Sequence, residues 1–194
     1  MRKLILIPIV HTPEEMGSAA QSLQKIEIEK VGKERWEENV RKIRNFWKEV
    51  EEALNRLKLD YKKVRVYQDG LPNTSEELIK KIVDQTAEKG SINYQIVKKL
   101  IDRGAKIEGT EDTQLLLAEF NHVKKLIEAK SGTEKKKAME EYDKAKKDLI
   151  DRRDGFIGKR IDETLKDGEV GILFIGAHHN VKAKLPKDII VKNL

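Results

Sequence analysis

The chain has 194 residues, 38% of them hydrophobic, and its 12 glycines bring the apolar share close to the ~45–50% of globular domains. One domain with its own core is the expectation, because a chain of this size buries roughly 70% of its unfolded surface without needing a staple. There is no cysteine, which excludes a disulfide scaffold, a zinc–thiolate site, an iron–sulfur cluster and a cysteine nucleophile, while 40 Lys and Arg against 34 Asp and Glu leave a mild +6.

Leu4 to Val10 is a continuous β-rich run broken only by Pro8, the pattern of a strand covered on both faces in a parallel sheet, and its end delivers His11. The run is too short to cross a bilayer and no small-residue cleavage site follows it, so a cytoplasmic protein without a membrane span is expected. A polar turn from Thr12 to Ser18 leads into a helical stretch to about Lys58, with a break at Gly32. Beyond Gly32, Trp36, Val40, Ile43, Trp47, Val50, Leu54 and Leu57 form one apolar seam at spacings of four and three. Val64 to Tyr67 predicts a second strand, closed by Asp69-Gly70 and Leu71-Pro72. Thr74 with Glu77 reads as a capping box opening a helix to about Lys89, and another helix runs from Ile92 to Arg103.

Lys106 to Glu108 is a candidate third strand. A helix from about Asp112 to Lys130 then carries Leu116, Phe120, Val123 and Ile127 on one face, and Ser131 with Glu134 caps a long helix reaching about Lys166. These two read as an antiparallel hairpin spanning 112–166. Between Asn121 and Arg160 there are 13 basic and 8 acidic residues, interleaved, which marks a solvated face rather than a nucleic-acid stripe. Heavy Lys/Glu use is also the composition of a thermophile's ion-paired surface. Val170 to Ile175 is the clearest strand and Ile189 to Val191 a short last one. Strands alternating with helices predict a single α/β domain over 1–194, with a mainly parallel sheet of four to five strands and the hairpin inserted before the last strands.

Three of the four histidines, His11, His178 and His179, follow the two strongest strands, Asp69 follows the second and Glu111 the third. Ligand sites in open α/β sheets lie at the carboxyl ends of strands, so these groups can converge. Imidazole with carboxylate suits Mn, Co, Zn or Fe, and His11, Asp69, His178 and His179 are the candidate ligands. Gly176 lets backbone approach closely just before His178 and His179. His122 lies on a helix, away from any strand end. Arg153 sits in the long helix beside Gly155 and Gly158, each costing about 1 kcal/mol in a helix interior relative to Ala, which asks for close packing or for room beside a ligand. Its guanidinium could hold a carboxylate or polarise a carbonyl, or merely pair on the surface with Asp151 or Asp154.

Asp151-Arg152-Arg153-Asp154, with Ile157 and Ile161, then Gly171 to His179, then Leu185 and Ile189 to Val191, resembles the TraB/Tiki group, related to the erythromycin esterase-like and ChaN-like proteins. In that group an Arg followed by Asp or Asn opens a helix leading to a strand that ends in Gly-x-x-His, here Gly176 to His179. Gly109-Thr110-Glu111 followed by Gln114 is similar to its Gly-x-Glu element, and Leu4 to His11 to its first strand, with Pro8 where the group has Gly and Asp69 where it favours Glu. The resemblance implies a metal-dependent hydrolase acting on a small molecule or peptide. His11 and His179 would bind metal or activate water, Glu111 or Asp69 would be ligand or general base, and Arg153 would stabilise the oxyanion. The alternative is a non-catalytic metal- or haem-binding protein using the same histidines. Homo-oligomerisation is left open.

Overall fold

The computed structural model describes residues 1–10, 25, 28–29 and 31–194. His11 and most of the stretch from Thr12 to Gly32 lie outside the described residues. The fold is α/β. Five parallel strands, β1 (Arg2–Ile9), β2 (Val64–Gln68), β3 (Lys106–Glu108), β4 (Val170–Gly176) and β5 (Ile189–Asn193), form one sheet in the order β3-β2-β4-β1-β5. β4 is central because it is apolar on both faces: Ile172 and Phe174 point to one side, Leu173 and Ile175 to the other.

The described helices are α1 (Lys33–Arg56), α2 (Glu76–Glu88), α3 (Ile92–Asp102), α4 (Thr113–Glu128) and α5 (Gly132–Thr164). Helices α1, α2 and α3 cover one face of the sheet with Trp47, Val50, Leu54, Ile79, Val83 and Val97. The C-terminal half of α5 covers the other with Ile157 and Ile161, continued by Leu165. Each such side chain contributes about 1.5–3 kcal/mol by leaving water. The expected break at Gly32 is present, with φ at 85° as the residue preceding α1. The seam of α1 is fully buried only at Trp47, Val50 and Leu54. No helix among the described residues is long and apolar enough to cross a membrane.

Two local expectations change. α2 is capped by Ser75, whose side chain accepts from the Leu78 amide, rather than by Thr74, because Ser75 is the residue with extended backbone before the first turn. α4 and the first half of α5 pair as the expected hairpin, but Phe120 and Ile127 remain 60% and 67% exposed. The facing stretch of α5 is mostly charged, so the contact is made by Leu115, Ala138 and Leu149 and by polar pairs such as Tyr142 with Glu119 and Lys125 with Glu141. Ser131 caps α5 by accepting from the Glu134 amide, as expected.

Candidate functional site

β2 and β4 are neighbours, yet the chain leaves β2 for α2 on one face and leaves β4 for Val181 on the other. Such a divergence opens a crevice at the carboxyl edge of a parallel sheet. Asp69 stands at the end of β2 and Gly176 at the end of β4. The Asp69 amide donates to the Phe174 carbonyl at 2.9 Å, and the Gly176 amide donates to Asp69 Oδ2 at 2.9 Å. A Cβ on Gly176 would itself lie 2.9 Å from Asp69 Oδ2, so glycine is what lets these two strand ends meet. Glu111 follows β3, fully buried, and accepts from the Gly70 amide at 3.3 Å.

Arg153 enters from α5 and is 5% exposed. Its Nε donates to Glu111 Oε2 at 3.0 Å, one terminal nitrogen donates to Glu111 Oε1 at 2.6 Å and to Asp69 Oδ1 at 2.7 Å, and the other donates to Glu119. The surface pairing with Asp151 or Asp154 is not what forms; it is Arg152 that faces outward, 3.7 Å from Asp148. Close packing accounts for Gly158, where an added Cβ would lie 2.9 Å from the Lys184 carbonyl oxygen, whereas Gly155 faces open space.

Burial dominates the Glu111 carboxyl and, with Asp69 beside it, holds its pKa above the ordinary value in spite of Arg153. Burial would also raise Asp69, but the adjacent His179, a hydrogen bond from Glu111, Arg153 and the Gly176 amide outweigh it and bring it below the usual aspartate value. Of the two neighbouring carboxyls, Glu111 is therefore the one pushed towards its neutral form and Asp69 the one held towards its charged form.

His179 Nδ1 lies 2.6 Å from Asp154 Oδ1, and Asp154 Oδ2 accepts from the Asn180 amide at 2.7 Å. Asp154 is 2% exposed and is thereby fully engaged. With Nδ1–H donated to Asp154, Nε2 faces Asp69 Oδ2 across 3.5 Å. In that tautomer two lone pairs face each other and repel, so the gap is one that a cation would relieve. Successive residues on a helix point about 100° apart, which is how Arg153 addresses the carboxylates while Asp154 addresses the imidazole.

Ligand atoms of Asp69, Glu111 and His179 all lie within 4.8 Å of one another. They fit a divalent cation: hard oxygen donors, and one imidazole with its other nitrogen held by a carboxylate, an arrangement that orients metal-binding histidines. Above them opens a cleft of about 360 Å³, lined by Leu116, Glu119, Tyr142, Lys146, Ile150 and His178 among others. Tyr142 donates to Glu119 at 2.9 Å, and its hydroxyl is pushed up to about 12 by burial and by that carboxylate.

Of the residues picked from the sequence, Asp69, Glu111, Arg153 and His179 come together. His178 is exposed on the cleft wall, outside that group, and His11 lies outside the described residues. His122 stacks on Tyr142 with ring centroids 5.7 Å apart. Sequence reasoning missed Asp154 and Glu119 as site residues. The adjacency of Asp154 to Arg153 was the available signal for the first, and nothing short of the hairpin's packing reveals the second. Comparisons with protein-family models, with curated proteins and with solved structures returned no match.

Proposed function

We propose that the cleft is the site of a metal-dependent hydrolase of the TraB/Tiki type, acting on a small-molecule or peptide substrate. The observation that carries this reading is the convergence of Asp69, Glu111 and His179 at strand ends, with ligand atoms within 4.8 Å. His179 Nε2 and Asp69 Oδ2 would hold the cation, with Asp154 fixing the imidazole through Nδ1. A divalent metal such as Mn, Co, Zn or Fe would supply there a bound water with its pKa lowered to around 7 and a Lewis acid for a substrate carbonyl. Glu111 would be the general base: it takes the proton of the attacking water as hydroxide adds to the carbonyl, and gives that proton to the leaving group as the scissile bond breaks. Arg153, with every N–H group that faces the site already engaged by carboxylates, acts as a positioning residue that sets Asp69 and Glu111 in place rather than as a free oxyanion donor.

Haem suits the site less well, because both His179 nitrogens face carboxylates. The deciding experiment is metal analysis of the purified protein, followed by titration of the stripped protein with Mn, Co and Zn and a screen against ester and peptide substrates. One bound metal, lost in Asp69→Asn and His179→Gln, together with metal-dependent hydrolysis, is the expected result. Binding without turnover would support the non-catalytic alternative, and neither binding nor turnover would end the hydrolase reading.

A further inference from the structure

Every charged group at the floor of the cleft already has a partner: Asp69 and Glu119 are paired with Arg153, and His179 with Asp154. Lys146 does not. It lines the same cleft, is half-buried, and forms no ion pair among the described residues. On α5 its i±4 neighbours, Tyr142 and Ile150, line the cleft with it, while Asp143 at i−3 is exposed and no ion pair joins it to Lys146. A half-buried ammonium is less hydrated than one in open solvent and gains correspondingly more from an anion brought to it.

Its position along α5 sets a length. Lys146 stands seven residues before Arg153, two helical turns, which is roughly 10 Å at about 1.5 Å per residue. Ile150 lies between them on the same face, and Leu116 of α4 lines the cleft with it, both half-buried. The cleft thus runs from an acidic floor, past two aliphatic side chains, to a cation.

We propose that the substrate is an ester or amide whose acyl chain carries an anionic group, a carboxylate in the simplest case, with the scissile carbonyl at the His179 floor, the apolar chain against Leu116 and Ile150, and the anion on Lys146. This rests on the hydrolytic reading of the floor and adds the substrate class. In the metal-free protein an anion placed at the floor instead would meet Asp69, Glu111 and Glu119, with Arg153 already engaged by all three, so there the carboxylate lies on Lys146.

Octanoate, with octanol and octylamine as its neutral and cationic counterparts, tests the Lys146 end without any turnover. Binding is followed by amide chemical-shift titration of the full chain stripped of metal. The expected result is saturable octanoate binding with shifts at Tyr142, Lys146 and Ile150, weakened at least about tenfold in Lys146→Ala and further in Lys146→Glu, in line with the loss of one charge-assisted hydrogen bond, and largely kept in Lys146→Arg. Octanol should bind more weakly and be indifferent to all three substitutions. His179→Gln should retain octanoate binding, so a failure to find hydrolysis and a failure of the Lys146 subsite are separate results. Octanoate binding that is absent, equal to that of octanol or unchanged in Lys146→Ala would overturn the proposal.

Discussion

Arg153 and Arg152 are neighbours with opposite fates, and the contrast can be measured. Arg153→Ala strands Asp69, Glu111 and Glu119 without their shared cation. Breaking a buried pair by removing one partner costs about 3–5 kcal/mol, at about 2–4 °C of melting temperature per kcal/mol for a chain of this size. Arg152→Ala removes an exposed contact and should stay within about 0.5 kcal/mol of the parent. Melts that coincide for the two variants would show that the cluster does not depend on Arg153. Asp154→Asn keeps an acceptor for one donor but no longer draws the Nδ1 proton of His179. Metal affinity should fall about 10- to 100-fold with little change in circular dichroism, and unaltered affinity would remove Asp154 from the site. Asp69, Glu111 and His179 were legible as candidates because each directly follows a strand, and strand ends in a parallel sheet share one edge. The role of Arg153 and the whole of Asp154 were not, because they depend on the rotation of α5 about its axis.

Among the elements, the strands were the most readable. Their apolar runs cannot be satisfied except between two layers, and all five expected segments pair in parallel. Amphipathic helices were less so: beyond Leu116 the stripe of α4 leaves Phe120, Val123 and Ile127 exposed, since spacing reports that a face is apolar without reporting what covers it. Away from the cleft, β2 is tied to the turn before β4 by Arg65, which donates to Glu169 at 2.6 and 3.1 Å and also to Glu108. Burial would raise Glu169, but Arg65 and the Lys166 amide outweigh it and hold its pKa below the ordinary 4.5. A depressed carboxylate contributes stability above its unfolded pKa and loses it as pH falls through the folded value. Glu169→Gln should therefore melt below the parent at pH 7, and the gap should close as pH falls below 4.5. A gap that is constant with pH would mean that Glu169 acts through packing rather than charge.

For the molecule as a whole, the site depends on the sheet and on both ends of the hairpin, but not on its tip. Lys130 to Thr133 are all exposed, and exposed loop tips tolerate change. Replacing Ser131 and Gly132 with a short Gly/Ser loop should leave far-ultraviolet circular dichroism and metal binding intact, and global unfolding would show that the tip is buried in an assembly. The strand order has a further consequence, for how the chain comes together in time. Lys3 pairs with Val170 and Arg2 with Ile189, so β1 leaves the ribosome long before either of its neighbours, β4 and β5, has been made. The β2–β3 pair with α2 and α3 can assemble early from nearby segments, while β1 waits with its apolar faces uncovered and its backbone edges unpaired. Non-local pairing of this kind slows folding and exposes unpaired edges to other chains meanwhile. A nascent chain arrested before β4 should therefore carry a protease-sensitive, chaperone-binding β1, and protection of β1 should appear in one step once β4 is released.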